Sequence, residues 1–188
     1  MKGIVMEEPY VFEKDPQFLS FKLRLPLVKR ARNYIYVLVR QDYDYIPKLK
    51  EVIEISGNLL NYDLGTQDGV RLFLKAVIIM PCQDEPNSIK DNTIKVTGTI
   101  RAIEPVVTKK SGKLIGRFSI HSNSAEINKI PIYCVVEGEA ASMLTKYKSG
   151  DAITINGSLV TRNFTRNEFE RYTTELYVRD LNVQTKEE

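Results

Sequence analysis

The segment FKLRLPLVKRARNYIY (21–36) sets five cations, Lys22, Arg24, Lys29, Arg30 and Arg32, directly ahead of two rings, Tyr34 and Tyr36. Ammonium and guanidinium groups neutralise phosphates and release counterions. Flat rings give bases a surface to stack on, at roughly 1–3 kcal/mol per base and with little regard to sequence. In a strand, alternation puts Lys22 and Arg24 on one face and Phe21, Leu23 and Leu25 on the other. A run of charge is more often a plain solvated face. Here the interleaving with rings is what points to nucleic acid.

Further candidates sit elsewhere in the chain. Lys109, Lys110 and Lys113 cluster around a Lys-Ser-Gly turn, with Arg117 beside it. In AITINGSLVTRNF (152–164), Ile153, Ile155, Gly157 and Leu159 share an inward face. Arg162 and Phe164 then face outward together, a cation beside a ring. Tyr62 and Tyr133 complete the set of candidate stacking rings. Against these stand ordinary roles: a barrel-rim Phe, a loop Tyr, a wall Tyr whose hydroxyl reaches the surface. Arg71 and Arg171 suit either phosphate binding or a salt bridge to Glu51 or Glu170.

Catalysis finds no support. His121 is the sole histidine and lies where a strand leaves for a polar loop. No nucleophile elbow, phosphate-binding loop or dinucleotide fingerprint occurs. The acid pairs Asp42/Asp44 and Glu7/Glu8 read as turn and surface residues. Cys82 and Cys134 form no Cys-x-x-Cys pair, so neither zinc nor any other cofactor is expected. MKGIVMEEPYVF lacks a signal-peptide pattern, and no apolar stretch approaches a membrane span. The expectation is a non-enzymatic cytoplasmic protein with no membrane association. Its net charge of +3 neither proves nor excludes a nucleic-acid partner, because a narrow groove can be basic on a nearly neutral molecule.

The elements that position these residues are written twice. EISGNLL (54–60) matches TINGSLV (154–160), pairing Gly57 with Gly157 and Leu59 with Leu159. Upstream, YIYVLV (34–39) matches PIYCVV (131–136), setting Tyr36 opposite Tyr133. The offset creeps by a few residues and never jumps, as it does when a duplicated domain changes its loops. Two copies are too few for a solenoid. The expected division is 1–82, a linker over 83–92 rich in Pro, Asn, Asp and Ser, and 93–185.

Within the second copy, IKVTGTI, RFSIHSN and KIPIYCVV read as three strands and GEAASMLTKYKSGD as a helix ended by Gly150. AITINGSLVTRNF and RYTTELYVRDLNV follow as two more strands, the first with a glycine at its centre that marks a bend or bulge. Three strands, a helix and two strands is the OB-fold plan. The fold class is therefore all-β: two tandem five-stranded OB barrels, each with a short helix between strands three and four. The first copy's link, VLVRQDYDYIPKLKE, is interrupted by proline and has room for one or two turns.

The second copy resembles the bacterial single-stranded DNA-binding protein family. ERYTTELYV (170–178) is similar to that family's final strand, YKSGDAITINGSLVTRNF (147–164) to its turn, fourth strand and following aromatic, and VVEGEAASML (135–144) to its third strand and helix. The resemblance covers about residues 94–184, and the first copy joins through the repeat. It implies sequence-tolerant binding of single-stranded DNA in replication, recombination or repair, with Phe164 at a stacking position. Replication or recombination proteins are then potential partners, and a homodimer is one arrangement it implies. The chain departs from the family in having no tryptophan and in stopping at QTKEE without an acidic tail. The tail-less primosomal relative PriB offers a second reading, an adaptor that recruits helicase or primase and binds DNA weakly. Single-stranded RNA is a third, since OB grooves accept either strand.

Overall fold

A computed structural model of the chain describes residues 1–26, 33–65, 70–84, 86, 89–122, 130–166 and 169–183. It divides into two compact units. The first is Met1–Thr93 with Leu159–Thr174; the second is Ile94–Ser158 with Glu175–Glu188.

In the first unit, β1 (Lys2–Val5), β2 (Tyr10–Val11), β3 (Phe18–Arg24), β4 (Tyr34–Arg40), β5 (Val52–Asp63) and β6 (Val70–Pro81) form one sheet. The order is β1-β5-β6-β4-β3-β2, and β1 also pairs with β3, so five strands close into a barrel with β2 as a flap on β3. All pairings are antiparallel except β4 with β6. The second barrel repeats the plan with β7 (Ile94–Ile103), β8 (Val107–Thr108), β9 (Leu114–Ser122), β10 (Ile132–Glu137), β11 (Ala152–Arg166) and β12 (Phe169–Val183), the stretch Leu159–Thr174 of the last two being counted with the first unit. There the order is β10-β12-β11-β7-β9-β8, closed by β10 with β9, and β10 runs parallel to β12. Both are OB barrels.

Alternation explains the cores. Phe21, Leu23, Ile35, Val37, Val39, Ile53 and Ile55 fill the first barrel, and Ile100, Ile120, Val136, Ile153 and Ile155 the second, all essentially fully buried. Each such side chain contributes about 1.5–3 kcal/mol of transfer free energy. The paired glycines sit where a strand meets backbone. A Cβ on Gly57 would lie 2.0 Å from the Lys75 carbonyl oxygen, at the point where the β5–β6 register shifts. A Cβ on Gly157 would lie 2.4 Å from the Tyr177 carbonyl oxygen of β12. The fourth strand of each barrel thus presses on the fifth where only glycine fits.

The helix expected in both copies occurs in one. α1 (Glu139–Met143) follows β10 and continues as a 3-10 turn to Lys146. Among the described residues, the link between β4 and β5 holds no helix. Pro47 removes a backbone donor there, and side chains fix the loop instead. The Tyr45 hydroxyl and the Lys48 backbone N–H both donate to Glu51 Oε2, at 2.8 and 2.6 Å. The Tyr43 hydroxyl accepts from the Ile79 N–H at 3.1 Å.

Two asparagines are buried for a reason. Asn92 ends a 3-10 turn (Ile89–Asn92), and its carboxamide donates to the Leu159 carbonyl at 2.9 Å and accepts from the Leu159 N–H at 3.0 Å. It acts as one extra peptide of a neighbouring strand. Asn33 does the same work on the next outward step, donating to the Pro26 carbonyl and accepting from the Thr161 N–H. The Thr161 hydroxyl in turn accepts from the Tyr34 N–H and donates to the Tyr34 carbonyl, each at 3.1 Å. These bonds tie Leu159–Thr174 into the first unit.

Two outcomes are expected. Gly57→Ala and Gly157→Ala should each lower stability by roughly 1–3 kcal/mol, because backbone cannot move aside as a side chain can. Asn92→Ala should cost on the order of 1–3 kcal/mol for each buried Leu159 group left unpaired. Urea unfolding followed by circular dichroism measures both.

Candidate nucleic-acid interface

The outer face of the first barrel gathers the cations and rings. Across β3 and β4, Lys22 stands opposite Tyr36 and Arg24 opposite Tyr34; across β4 and β6, Tyr36 stands beside Phe73. The Lys22 ammonium lies 4.3 Å from the Tyr34 ring centroid and 5.4 Å from that of Tyr36. The Arg71 guanidinium lies 4.5 Å from the Tyr36 centroid. Tyr34 and Tyr36 meet edge to face at 6.0 Å. Both rings are half-buried, as are Lys22 and Arg71, while Arg24 is exposed. Cation–ring contacts of this kind are worth about 0.5–1 kcal/mol at exposed sites.

A second apolar cluster, outside the barrel core, underlies this array. Phe12, Phe18, Leu38 and Phe73 are buried together, and Tyr36, Leu60, Tyr62 and Leu64 pack against them. Phe12 arrives because the chain after β2 turns back: the Phe12 N–H donates to the Phe18 carbonyl, and the Asp15 N–H to the Phe12 carbonyl. Its ring meets Tyr62 edge-on at 5.1 Å and Phe73 at 5.3 Å. Tyr62 is therefore half-buried in a packed cluster, and burial raises its phenol pKa. Lys75 extends the pattern, 5.2 Å from the Phe18 centroid.

Arg71, left open in the sequence between phosphate and salt bridge, sits over Tyr36. Tyr10 was not singled out; it is 47% exposed and pairs across from Ser20. Burial raises its pKa first, Ser20 opposes that, and Glu7, Tyr36 and Arg71 act on it as well. Its proximity to β3 could have been suspected only from the aromatic spacing of Tyr10 and Phe12 in an otherwise polar connection. Of the other sequence candidates in this unit, Arg162 is half-buried on β11. Lys29, Arg30, Arg32 and the side chain of Phe164 lie outside the described residues.

The second barrel presents a different face. Tyr133 is 56% exposed and stands opposite Ser119. Arg117 stands opposite Val135, half-buried, and Lys110 is exposed. Lys109 and Lys113 both converge on the Glu137 carboxylate, at 2.6 and 2.7 Å, and the Tyr177 hydroxyl donates to it at 3.0 Å. Lys109 first, then Lys113, hold the Glu137 pKa down to about 2. Cys134 is buried, which pushes its thiol pKa up. Among the described residues, no group of three or more His, Cys, Asp or Glu side chains could hold a metal, and no helix is long and apolar enough to cross a membrane.

No family model matches the chain, and no curated protein matches it. Solved structures do. The wild-type single-stranded DNA binding protein from Thermus aquaticus superposes with a TM-score of 0.71 at 14% identity, over 98% of this chain and 91% of that one. A deletion mutant of the same protein gives 0.72 at 14% identity, over 99% of this chain and 93% of that one. PriB from Ralstonia solanacearum covers 50% of this chain and 98% of its own, at 16% identity and a TM-score of 0.38. The two Thermus structures establish the fold as a tandem pair of OB barrels; an overlap as loose as the third carries no argument.

The Glu137 cluster yields a pH dependence. A carboxylate whose folded pKa lies below its ordinary 4.5 contributes stability that is complete above about pH 4.5 and is lost as pH falls toward 2. Between about pH 6 and about pH 3, wild type should therefore lose more stability than Glu137→Gln, which has no titrating group there. Urea unfolding at the two pH values reads the difference.

Proposed function

We propose that this chain binds single-stranded DNA in a sequence-tolerant manner, and that the outer face of the first barrel is the principal contact. The observation that carries the reading is the placement of Lys22 and Arg71 over the Tyr34 and Tyr36 rings, on a sheet face that OB proteins use for oligonucleotides. Phosphates would be drawn to Lys22, Arg24 and Arg71, and bases would stack on Tyr36, Tyr34 and Tyr10. Binding of this kind holds a strand open and extended and needs no reacting group. The shared fold with a protein that binds single-stranded DNA supports the reading, as does the cation–ring alternation. Roles in replication, recombination or repair follow as the processes that expose such strands.

The second barrel contributes less in this proposal. Lys109 and Lys113 are engaged by Glu137, so a phosphate must compete with a carboxylate for them. Tyr133 and Arg117 remain as its contact points.

Titration of labelled oligo-dT against protein, by anisotropy at several salt concentrations, tests this. Tyr36→Ala should lose about 1–3 kcal/mol of binding, and Tyr133→Ala less. Lys22→Ala should weaken binding and reduce the magnitude of the log–log salt slope by about 0.7, the value for one phosphate contact on a single strand. Folded Tyr36→Ala with undiminished affinity would refute the site.

A further inference from the structure

The turn ahead of the long fourth strand is built twice on one set of bonds. In the first barrel, the Lys48 N–H donates to Glu51 Oε2 at 2.6 Å and the Glu51 N–H to the Lys48 carbonyl at 3.1 Å. The Lys50 N–H donates to the Val5 carbonyl, and the Val5 N–H to the Glu51 carbonyl, both at 2.9 Å. In the second barrel, the Lys148 N–H donates to Asp151 Oδ2 at 2.9 Å and the Asp151 N–H to the Lys148 carbonyl at 3.2 Å. The Gly150 N–H donates to the Ile100 carbonyl at 2.8 Å, and the Ile100 N–H to the Asp151 carbonyl at 2.9 Å. Lys48-Leu49-Lys50-Glu51 thus answers to Lys148-Ser149-Gly150-Asp151, at the spacing that also pairs Gly57 with Gly157.

The third residue of each turn is left-handed, with φ of 98° at Gly150 and 68° at Lys50. Among the described residues, Lys50 is the only residue other than glycine with a positive φ. Glycine enters that region freely. A Cβ there crowds the following carbonyl, and lysine lacks the short polar side chain with which asparagine and aspartate compensate. The sister turn makes the same bonds with glycine, so nothing in the turn itself calls for a side chain. What lysine adds at that place is an ammonium. Lys48 and Lys148 occur in both turns, so Lys50 is the charge that distinguishes the first. Lys48 and Lys50 are both exposed, and among the described residues neither ammonium has an ion-pair partner. Glu51, beside them, accepts instead from the Tyr45 hydroxyl and the Lys48 N–H. The turn also adjoins the ring face. Val5, which accepts from Lys50, pairs with Leu23, and the Met6 N–H donates to the Lys22 carbonyl at 2.8 Å. One strand, β1, lies between Lys50 and Lys22.

We propose that Lys50, with Lys48 two residues before it, is a phosphate-binding station that extends the path of the strand beyond the Lys22–Tyr36 face. This rests on the single-stranded DNA reading above and deepens it by adding contacts that carry charge and no ring. Residues held in unfavourable backbone regions collect at binding sites, where stability is given up for a contact. The first barrel makes that exchange at Lys50, and the second, with glycine in the same turn, does not.

Oligo-dT anisotropy against salt, paired with urea unfolding of the same variants, tests the station. Lys50→Gly should raise the urea midpoint, because the left-handed strain is removed. It should also bind oligo-dT roughly five- to tenfold more weakly at about 50 mM salt, with a log–log slope smaller in magnitude by about 0.7. Lys50→Asn, neutral but at ease in the left-handed region, should lose the same binding, and Lys50→Arg should keep it. Removing Lys48 as well, as Ala, should take about 1.4 off the slope. Undiminished binding by Lys50→Gly overturns the station, as does a loss of binding that comes with a lower urea midpoint. If Tyr36→Ala weakens binding while Lys50→Gly does not, the ring face stands and the station falls. If wild type holds no oligomer, both fall together.

Discussion

Each barrel depends on one close approach of backbone to backbone. Gly57 presses against the Lys75 carbonyl, and Gly157 against the Tyr177 carbonyl. There the fourth strand lies tight on the fifth, which also runs parallel to the third, in a sheet closed by its first and second strands in one barrel and its second and third in the other. Closure decides what is inside and what is outside. Without it, the alternation of Phe21, Lys22 and Leu23 would still exist, but no face would be enclosed for Phe21 and Leu23 to fill, and none would be set aside for Lys22. The ring array is thus a consequence of a contact that involves no ring.

The same closure supports two different outer faces. In the first barrel, cations lie over aromatic rings, where they keep their charge and meet a polarisable surface. In the second, cations lie on a carboxylate, where charge is cancelled at short range. The difference traces to a single kind of residue at the end of the third strand. β10 ends in Glu137, within reach of the β8–β9 hairpin lysines, whereas β4 ends in Arg40, whose partner is Asp42 two residues on. A duplicated fold has kept its frame and divided its surface chemistry.

Much of the frame was legible in the sequence because it rests on local rules. Alternation in YIYVLVR and AITINGSLV names the inward face, and a glycine repeated at the same place in two strands names the bend. The surface was less legible, for physical reasons. Lys109 and Glu137 are 28 residues apart and meet only because a hairpin folds over a strand end. Tyr10 and Phe12 lie in and beside a two-residue strand too short for periodicity, so their aromatic spacing is the only hint that they close over β3. Asn33 and Asn92 look like loop residues by composition; their burial follows from backbone groups of β11, the Thr161 N–H more than a hundred residues from Asn33 and both Leu159 groups nearly seventy from Asn92. Pro47 pointed to a link of only one or two helical turns in the first copy; that no helix forms there follows from the tyrosine hydroxyls and Glu51 that fix the loop, which no local pattern announces.

The absence of tryptophan looks at first like a weakness in a face proposed to stack bases, since a tyrosine offers less area. What a ring contributes, however, depends on how much freedom it must give up when a base arrives. Tyr36 is backed by Phe73 at 5.7 Å, which is itself locked edge-on against Tyr62 and tilted against Phe12. Tyr34 is held by its backbone through Thr161 and by its ring against Tyr36. Most of the ordering cost is therefore met when the chain folds, not when a strand binds, and ordering costs of about 0.5–1.5 kcal/mol per side chain are comparable to the stacking gain itself. A half-buried, preorganised tyrosine flanked by cations can match a larger ring that is free to move. On this view the second apolar cluster belongs to the binding face as much as the rings above it, because rigidity there converts a modest surface into a usable one.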